Sequence, residues 1–233
     1  MGATIGGERF TPVRFPSLPE AVAEKLREAV LAGQLKPGER LVEQKLAASL
    51  GIGQPTLREA LKELEFQGFV RKSPKKGTYV TELTPEDFRK IQEVRMALEV
   101  VAVEQAAHNM TDEAVGEMEK LVTTMRTAAQ KFDLATFHKS DLRFHRVVWD
   151  LTGNEYLGLA LERIAFGLFA FVLLQRDPSA SNEFIASAEQ HAQIVAGLRT
   201  RDPKRAREAF VKSTTKFWNQ YHRVNLEPAG ELK

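Results

Sequence analysis

The chain of 233 residues contains no cysteine. It therefore has no disulfide, no thiolate metal ligand and no thiol nucleophile, which suits the reducing cytoplasm we predict as its location. Long apolar runs are also absent, since the longest extends only from Ile164 to Leu174. Such a run is too short to cross a bilayer and predicts a buried core helix, with no membrane as a partner. The first residues lack the basic and then apolar pattern of a secretion signal.

The chain has little excess charge of one sign, with a formal net charge of +2. Residues 1–81 carry thirteen Lys and Arg against nine Asp and Glu, whereas the remainder carries 20 against 22. The positive excess lies in the first third, as binding to DNA phosphates requires, but the asymmetry is modest and decides nothing alone. With 43% hydrophobic and 27% charged residues, the composition predicts one large or two ordinary globular domains.

Two helices joined by a tight turn are predicted in the first third of the chain. The first covers Val42 to Leu50, the turn is Gly51 to Gly53, and the second covers Gln54 to Phe66. Leu57, Ala60, Leu61 and Leu64 recur in the second helix at the spacing of one buried face. A three-residue turn with glycine sets two helices at a steep angle, so the segment predicts a helix-turn-helix.

A basic turn between two short strands follows, because Phe69–Val70 and Tyr79–Val80 flank a lysine-rich segment, 72–77. A helix-turn-helix with a basic wing predicts double-stranded DNA as a partner. The alternative is an ordinary amphipathic helix pair under a lysine-rich turn. The side chains and backbone expected at DNA are those of Gln44, Lys45, Gly53, Gln54, Pro55, Thr56, Arg58, Lys75, Lys76, Gly77 and Thr78.

These residues resemble the winged-helix domain of the GntR family of bacterial transcription regulators. The matching segments include Leu35-Lys36-Pro37-Gly38-Glu39-Arg40-Leu41, Leu57-Arg58-Glu59-Ala60-Leu61 and Gly77-Thr78-Tyr79-Val80. The sequence departs from the family at Gly53-Gln54-Pro55, where the family usually has Ser-Arg-Thr. Glycine still serves as an N-cap and proline is tolerated in the first turn, so the resemblance implies the same fold with a different base preference.

The rest of the chain predicts an all-α region. We expect a mobile tail over 1–16, a winged helix-turn-helix DNA-binding domain over 17–82, and an all-helical effector-binding and dimerisation domain over 84–226. Breaks such as Gly153-Asn154 and Asp202-Pro203 separate the helices, and no strand pattern follows Val80. The fold class is mainly α, with an N-terminal winged helix-turn-helix and a C-terminal all-α antiparallel helical bundle. The six predicted helices are about 85–108, 112–131, 134–151, 154–175, 182–199 and 203–224.

Asp141 and His145 lie four residues apart on one predicted helix, which stacks a carboxylate and an imidazole on the same face. His191 lies in a later helix among apolar neighbours. Aspartate and histidine without sulfur suit Zn²⁺, Ni²⁺ or Mn²⁺. The alternative is a surface hydrogen bond between the aspartate and the histidine. His138 is expected to be a solvated surface residue.

Asp141-Leu142-Arg143-Phe144-His145 and the later Thr152-Gly153-Asn154 resemble the ligand-binding (FCD) domain of the FadR-type subgroup of the GntR family. The resemblance implies that Asp141, His145 and His191 are metal ligands. The remaining histidine of metal-binding members falls on Ser213, a poor ligand, which leaves that position for water or the effector. His222 lies nine residues on, about half a turn round the helix, and cannot replace it.

The same resemblance implies that Arg95 points into the ligand cavity of the FCD domain. There it would bind a carboxylate effector, with Ser213 as a second effector contact. The alternative for Arg95 is a structural ion pair with Glu99. Phe166, Phe169 and Phe171 are expected to pack in the core rather than to form a ligand cage.

These features predict an effector-responsive transcription regulator, in particular a repressor that binds a pseudo-palindromic operator as a homodimer. The expected effector is a small carboxylate, with a possible divalent metal. Two alternatives belong to other classes. A metal-dependent helical hydrolase could activate water with two histidines and one aspartate. Against it, no second carboxylate or histidine lies close in sequence as a general base, and the chain has no His-Asp dipeptide of the kind that helical phosphohydrolases use. A non-specific architectural DNA binder would not need an effector pocket.

Overall fold

The protein is described here by a computed structural model that covers residues 16–174 and 181–225, with side chains described as far as residue 215. The predicted tail, apart from Pro16, lies outside this part of the chain, as do the predicted break at Asp177-Pro178 and residue 226.

The first part of the chain, which we call the winged module, is a small helical unit with a three-stranded antiparallel sheet. The strands lie in the order β1-β3-β2, with Val70 opposite Val80 in the longer pair. β1 was not predicted, because two residues are too few to show an alternating pattern. The elements are α1 (Leu18–Leu31), β1 (Arg40–Leu41), α2 (Glu43–Leu50), α3 (Gln54–Phe66), β2 (Val70–Ser73) and β3 (Gly77–Val80).

The helix-turn-helix forms where the sequence predicted it. Gly51 closes α2 in the left-handed conformation, with φ of 66°, which glycine adopts without strain. α3 then begins after Gly53, with Pro55 in its first turn. The predicted apolar face of α3 is fully buried, and each of its members is 5% exposed or less.

The second part, which we call the bundle, contains six helices among the described residues, and their ends lie within one residue of the prediction. Thr84 begins the first of them with a capping box completed by Asp87, so two backbone N–H groups that the helix leaves open are bonded. The helices are α4 (Pro85–His108), α5 (Asp112–Lys131), α6 (Leu134–Asp150), α7 (Glu155–Leu174), α8 (Ser181–Arg199) and α9 (Pro203–Asn225).

The bundle helices pack in a closed ring, in the order α4, α9, α8, α5, α6, α7 and back to α4. Within the described residues, α7 is the one helix long and apolar enough to cross a membrane, over Glu155–Leu173 with a mean hydropathy of 1.7. It packs against α4 and α6, and Leu161, Ala165 and Phe166 are buried. α7 is therefore the buried core helix that the sequence predicted.

The winged module meets the bundle at the end of the recognition helix α3. The ring of Phe66 packs edge-on against Phe166 with centroids 5.6 Å apart, and the ring of Phe69 packs edge-on against His138 at 4.8 Å. Between them, Gly68 has a φ of 82°, and a Cβ there would overlap the backbone of α7 at residues 166 and 167. Gly68 therefore ends α3 and also lets the two backbones touch.

Candidate functional site

The interior of the bundle ring contains a cavity with room for the centres of water-sized molecules in a volume of about 60 Å³. A single ordered water needs about 10–15 Å³ of such volume, so the cavity accepts a small ligand rather than a large one. Five of the six helices contribute to its wall: Arg95 from α4, Asp141 and His145 from α6, Phe169 from α7, His191 from α8, and Ser213 and Thr214 from α9.

The three residues predicted as metal ligands converge in this cavity, with ligand atoms all within 4.8 Å of one another. Oδ1 of Asp141 lies 2.8 Å from Nε2 of His191 and 3.8 Å from Nε2 of His145. α6 supplies the first two because residues four apart share a helix face, and α8 brings the third from across the ring.

The other ring nitrogen of each histidine faces an acceptor. Nδ1 of His191 donates to the carbonyl oxygen of Ser187 at 2.7 Å, and Nδ1 of His145 lies 3.4 Å from Oε1 of Glu99. Such contacts fix the tautomer of metal-binding histidines, since a proton held on Nδ1 leaves a lone pair on Nε2. Both lone pairs then face Asp141.

The contact between His191 and Asp141 is informative because Nε2 of His191 has no hydrogen-bond partner by angle, despite the 2.8 Å separation. In the neutral ring, with its proton on Nδ1, a lone pair and a carboxylate oxygen would face each other, whereas a second proton on Nε2 would give Asp141 a hydrogen bond and a positive charge. Burial by itself would raise the pKa of Asp141, but hydrogen bonding and positive charge from His191, with charge from His145, hold it below the usual range. The arrangement therefore calls for positive charge between the two atoms, either a proton or a metal ion.

Glu99 connects the metal-ligand cluster to the rest of the bundle. Its Oε1 accepts from Nε of Arg95 at 3.2 Å, and its Oε2 accepts from Nε1 of Trp149 at 3.0 Å. Burial would raise the pKa of Glu99, but the charges of His145 and Arg95, together with hydrogen bonds from His145 and Trp149, lower it to about 2. Glu99 is thus ionised, although only 1% of it is exposed.

Arg95 forms the ion pair with Glu99 that one alternative predicted, and effector binding by Arg95 stays a prediction. Its guanidinium also lines the cavity, 4.5 Å above the ring of Phe169. Phe169 is buried as predicted, but it also forms part of the cavity wall and packs against the ring of His145.

Ser213 lies in the cavity wall, buried to 6% exposure, next to Thr214 on α9. The family resemblance implied that position 213 faces the ligand cavity, and Ser213 does line it, while its contact with an effector stays a prediction. Hydroxyl groups here can bind a small polar ligand by hydrogen bonds, whereas serine is a weak ligand for zinc or nickel. The side chain of His222 lies outside the described residues.

The prediction that His138 is a solvated surface residue is wrong. It is 2% exposed, because the winged module covers it through Phe69, and it also lines the cavity. Burial lowers the pKa of His138 to about 4 against the opposing charge of Asp141, so the ring is neutral near pH 7. Sequence spacing could have indicated this position, since residue 138 lies one turn before Asp141 on the same face.

The predicted DNA-contact residues on α2 and α3 lie together at the surface. Gln54 and Arg58 are one turn apart on exposed positions of the recognition helix. Nε of Arg58 is paired with Oε2 of Glu43 on α2 at 2.8 Å, and Nη2 of Arg58 donates to Oε1 of Gln54 at 3.4 Å. Of the other predicted residues on these helices, Gln44, Lys45, Gly53 and Pro55 are exposed and Thr56 is half-buried.

In the wing, Lys75 and Lys76 are exposed at the turn between β2 and β3, and Gly77 begins β3. Thr78 differs from the prediction, because its side chain is only 4% exposed in the middle strand of the sheet. A contact between Thr78 and DNA would therefore require its backbone.

Comparison with known families decides the class of the protein. Residues 18–80 match the bacterial regulatory proteins of the gntR family, and residues 90–213, more than half of the chain, match the FCD domain. The chain belongs to the GntR family, in its FadR-type subgroup with an FCD domain. The family consists of transcription regulators rather than enzymes, so the alternative of a metal-dependent hydrolase is not supported.

Among curated GntR relatives, the chain is 27% identical over 238 residues to the HTH-type transcriptional repressor NanR of Klebsiella aerogenes, covering 92% of this chain and 91% of that protein. It is 26% identical to the gluconate operon transcriptional repressor of Bacillus licheniformis, covering 82% and 78%. Both similarities extend over the winged module and the bundle.

The fold of this GntR chain is similar to that of solved structures. McbR/YncC of E. coli has a TM-score of 0.68 at 23% identity, over 89% of this chain and 98% of that one. A putative GntR regulator from Rhodococcus sp. RHA1 has a TM-score of 0.65 at 19% identity, over 88% and 96%. At these identities the likeness concerns the fold alone.

Proposed function

We propose that the protein is an effector-responsive repressor in the bacterial cytoplasm, which binds a pseudo-palindromic operator as a homodimer and holds a divalent metal and a small carboxylate in the bundle cavity. The family supplies DNA binding and regulation, and the two relatives described above are named repressors. The metal and the carboxylate rest on the geometry of the cavity.

The DNA part of the proposal rests on the recognition helix and the wing. The exposed start of α3 would enter the major groove, with Gln54 and Arg58 at the bases, while Lys75 and Lys76 would contact phosphates. One short recognition helix contacts only a few base pairs. A second copy related by a two-fold axis would double the site and make it an inverted repeat.

The metal part is carried by one observation: Nε2 of His191 lies 2.8 Å from Oδ1 of Asp141, while Nδ1 of the same ring is bonded to the carbonyl oxygen of Ser187. In a neutral ring with its proton on Nδ1, the lone pair on Nε2 would repel the carboxylate. A cation held by these two atoms and by Nε2 of His145 would remove the repulsion between them. Two imidazoles and one carboxylate, with no sulfur, suit Zn²⁺, Ni²⁺ or Mn²⁺. Three protein ligands leave a coordination position for water or for an oxygen of the effector.

The carboxylate part rests on the cationic and hydroxyl groups on the other side of the same cavity. Arg95 supplies a fixed guanidinium, which binds carboxylates with well-defined geometry, and Ser213 supplies a hydroxyl. The small volume of the cavity favours a short carboxylate.

The metal proposal can be tested by calorimetric titration with Zn²⁺ and Ni²⁺ and by elemental analysis of wild type, His145→Ala and Ser213→His. We expect wild type to bind one ion per chain, His145→Ala to lose at least about tenfold in affinity, and Ser213→His to bind more tightly. His108→Ala is the matched control, because His108 is exposed at the end of α4. Equal metal binding by all variants, or no uptake in excess metal, would contradict a metal site.

The operator proposal can be tested by selecting binding sequences from randomised DNA and footprinting the product. We expect an inverted repeat protected symmetrically, with two chains per duplex by analytical ultracentrifugation. Arg58→Ala should weaken binding, and loss of Lys75 and Lys76 should weaken it with a shallower salt dependence. Binding that is indifferent to sequence would instead support the architectural alternative.

A further inference from the structure

A continuous series of contacts joins the metal-ligand cluster to the end of the recognition helix. It begins at His145, whose Nδ1 lies 3.4 Å from Oε1 of Glu99. The other oxygen of the same carboxylate accepts the indole N–H of Trp149 at 3.0 Å. Glu99 thus faces a metal-ligand histidine through one oxygen and a tryptophan through the other.

The series continues from Trp149 into the winged module. The indole ring stacks on the ring of Phe166, with centroids 5.8 Å apart and planes 28° from parallel. Phe166 in turn packs edge-on against Phe66, the last residue of α3. The guanidinium of Arg146 lies about 5 Å from both of these phenylalanine rings and holds them as a pair.

We propose that Trp149 is a positioning residue that transmits the occupancy of the cavity to the recognition helix through Phe166 and Phe66. The inference rests on the proposed function, in that the cavity holds a metal ion. A cation bound at Nε2 of His145 strengthens the pull of its Nδ1–H on Glu99, and Arg95 shares that carboxylate. The orientation of Glu99 then sets that of the indole which donates to it.

The neighbouring contacts make the end of α3 sensitive to such a change. Gly68 brings the backbone directly after α3 against the backbone of α7, so no flexible side chain absorbs a shift of α7. Close-packed elements of this kind move together rather than deform. The exposed face of α3 begins three turns before Phe66 and would move with it.

The test uses the full chain, Zn²⁺ as the probe, and operator DNA obtained by the selection described above. The measured quantity is the ratio of the Kd for DNA with and without Zn²⁺, determined by fluorescence anisotropy. We expect a ratio that differs from one by at least about fivefold in wild type, the lower range of allosteric coupling. Trp149→Phe keeps a ring on Phe166 but removes the N–H, and should bring the ratio to within about twofold of one.

Two further variants separate transmission from folding. Phe66→Ala removes the last contact at a side chain that is 47% exposed, so the core stays intact; it should lose the coupling while its Zn²⁺ affinity stays unchanged. Tyr156→Ala, at an exposed aromatic residue of α7 outside the series, should keep the wild-type ratio.

A spectroscopic signal reports the first part of the series directly. Trp149 and Trp218 are the two tryptophans of the chain, so Trp218→Phe leaves Trp149 as the one tryptophan whose fluorescence is measured. Zn²⁺ should shift its emission, and the shift should remain when Phe66→Ala is added.

The outcomes distinguish this proposal from the proposed function. If Trp149→Phe and Phe66→Ala both keep the wild-type ratio of the Kd for DNA with and without Zn²⁺, the proposed transmission is wrong but the metal site stands. A ratio of one in wild type that binds both Zn²⁺ and operator would lead to the same conclusion. Absence of Zn²⁺ uptake would overturn the metal site and the transmission together.

Discussion

The winged module and the bundle place their charged side chains differently. In the described part of the winged module, the buried polar residues are Thr78 and Thr81, and its charged groups lie at or near the surface. The bundle instead buries Arg95, Glu99 and three histidines around one cavity. Burying charge costs stability unless each charge is paired, so the stability of the bundle depends on Glu99, which Arg95 and His145 share as a partner. The winged module needs only a scaffold, because its partner binds at the surface.

The largest effect is expected from removing the carboxylate on which the buried charges depend. Glu99→Leu leaves Arg95 and His145 without their shared acceptor, and should lower the free energy of unfolding by about 3–5 kcal/mol. The matched control is Glu104→Leu on the same helix, where the ion pair with Arg207 is half exposed and should contribute less than about 1 kcal/mol. Urea unfolding measures both. Equal losses would show that the buried charges are no more critical than the surface ones.

A smaller effect on folding stability is expected from His138, the buried histidine at the contact between the winged module and the bundle, when the pH is lowered. The unfolded chain protonates His138 below about pH 6.5, whereas the folded chain does so only near pH 4, so folding stability falls as the pH drops through this window. His138→Phe should remove about 2–3 kcal/mol of that loss between pH 7 and 4.5, as measured by urea unfolding at both values.

The matched control is His108→Phe, at an exposed position on α4. It should lose stability in parallel with wild type over the same window. If His138→Phe lost as much stability as wild type between pH 7 and 4.5, the protonation of His138 would not contribute to the loss.

On the winged side of the comparison, Gln54 is expected to set a base preference without affecting stability. A glutamine can bond adenine at N6 and N7, whereas arginine prefers guanine, and a correct pair contributes about 1–3 kcal/mol of discrimination. Gln54→Arg should therefore shift one position in each half-site toward guanine in a randomised-site selection. An unchanged motif would mean that Gln54 contacts no base.

The smallest effect is expected at the exposed ion pair beside the recognition helix. Glu43 holds Arg58 and also repels phosphates, so Glu43→Gln should tighten DNA binding by up to about 1 kcal/mol, or about fivefold. The gain should shrink at high salt because Arg58 is exposed and Glu43 is only half-buried. Tighter binding that is independent of salt would argue against this electrostatic cause.

The sequence predicted most of the fold because its elements are set by local signals. The apolar face of α3, the glycines around it and the capping box at Thr84 are each visible within a few residues. The convergence of Asp141, His145 and His191 was also predicted, two members from a four-residue spacing and the third from family resemblance. That they bind a metal ion stays a prediction.

The contacts that organise the site could not be predicted, because they join distant residues. Glu99 and Trp149 are fifty positions apart, and His138 is covered by Phe69 from the winged module. The spacing of residues 138 and 141 puts His138 and Asp141 on the same face of α6. Only the packing of the winged module against the bundle shows that this face is covered at His138. Ser187 contributes a backbone carbonyl, which no side-chain pattern reveals.

Gly68 limits how this regulator can be recombined. A chimaera that joins its winged module to the bundle of a relative must retain glycine at 68, since any side chain there would overlap the backbone of α7 and its φ of 82° would also be strained. The backbone of the incoming α7 must also pass at the same place, where it contacts the backbone at residue 68. A new bundle for this winged module therefore has to be chosen so that its α7 packs against Gly68 in the same way.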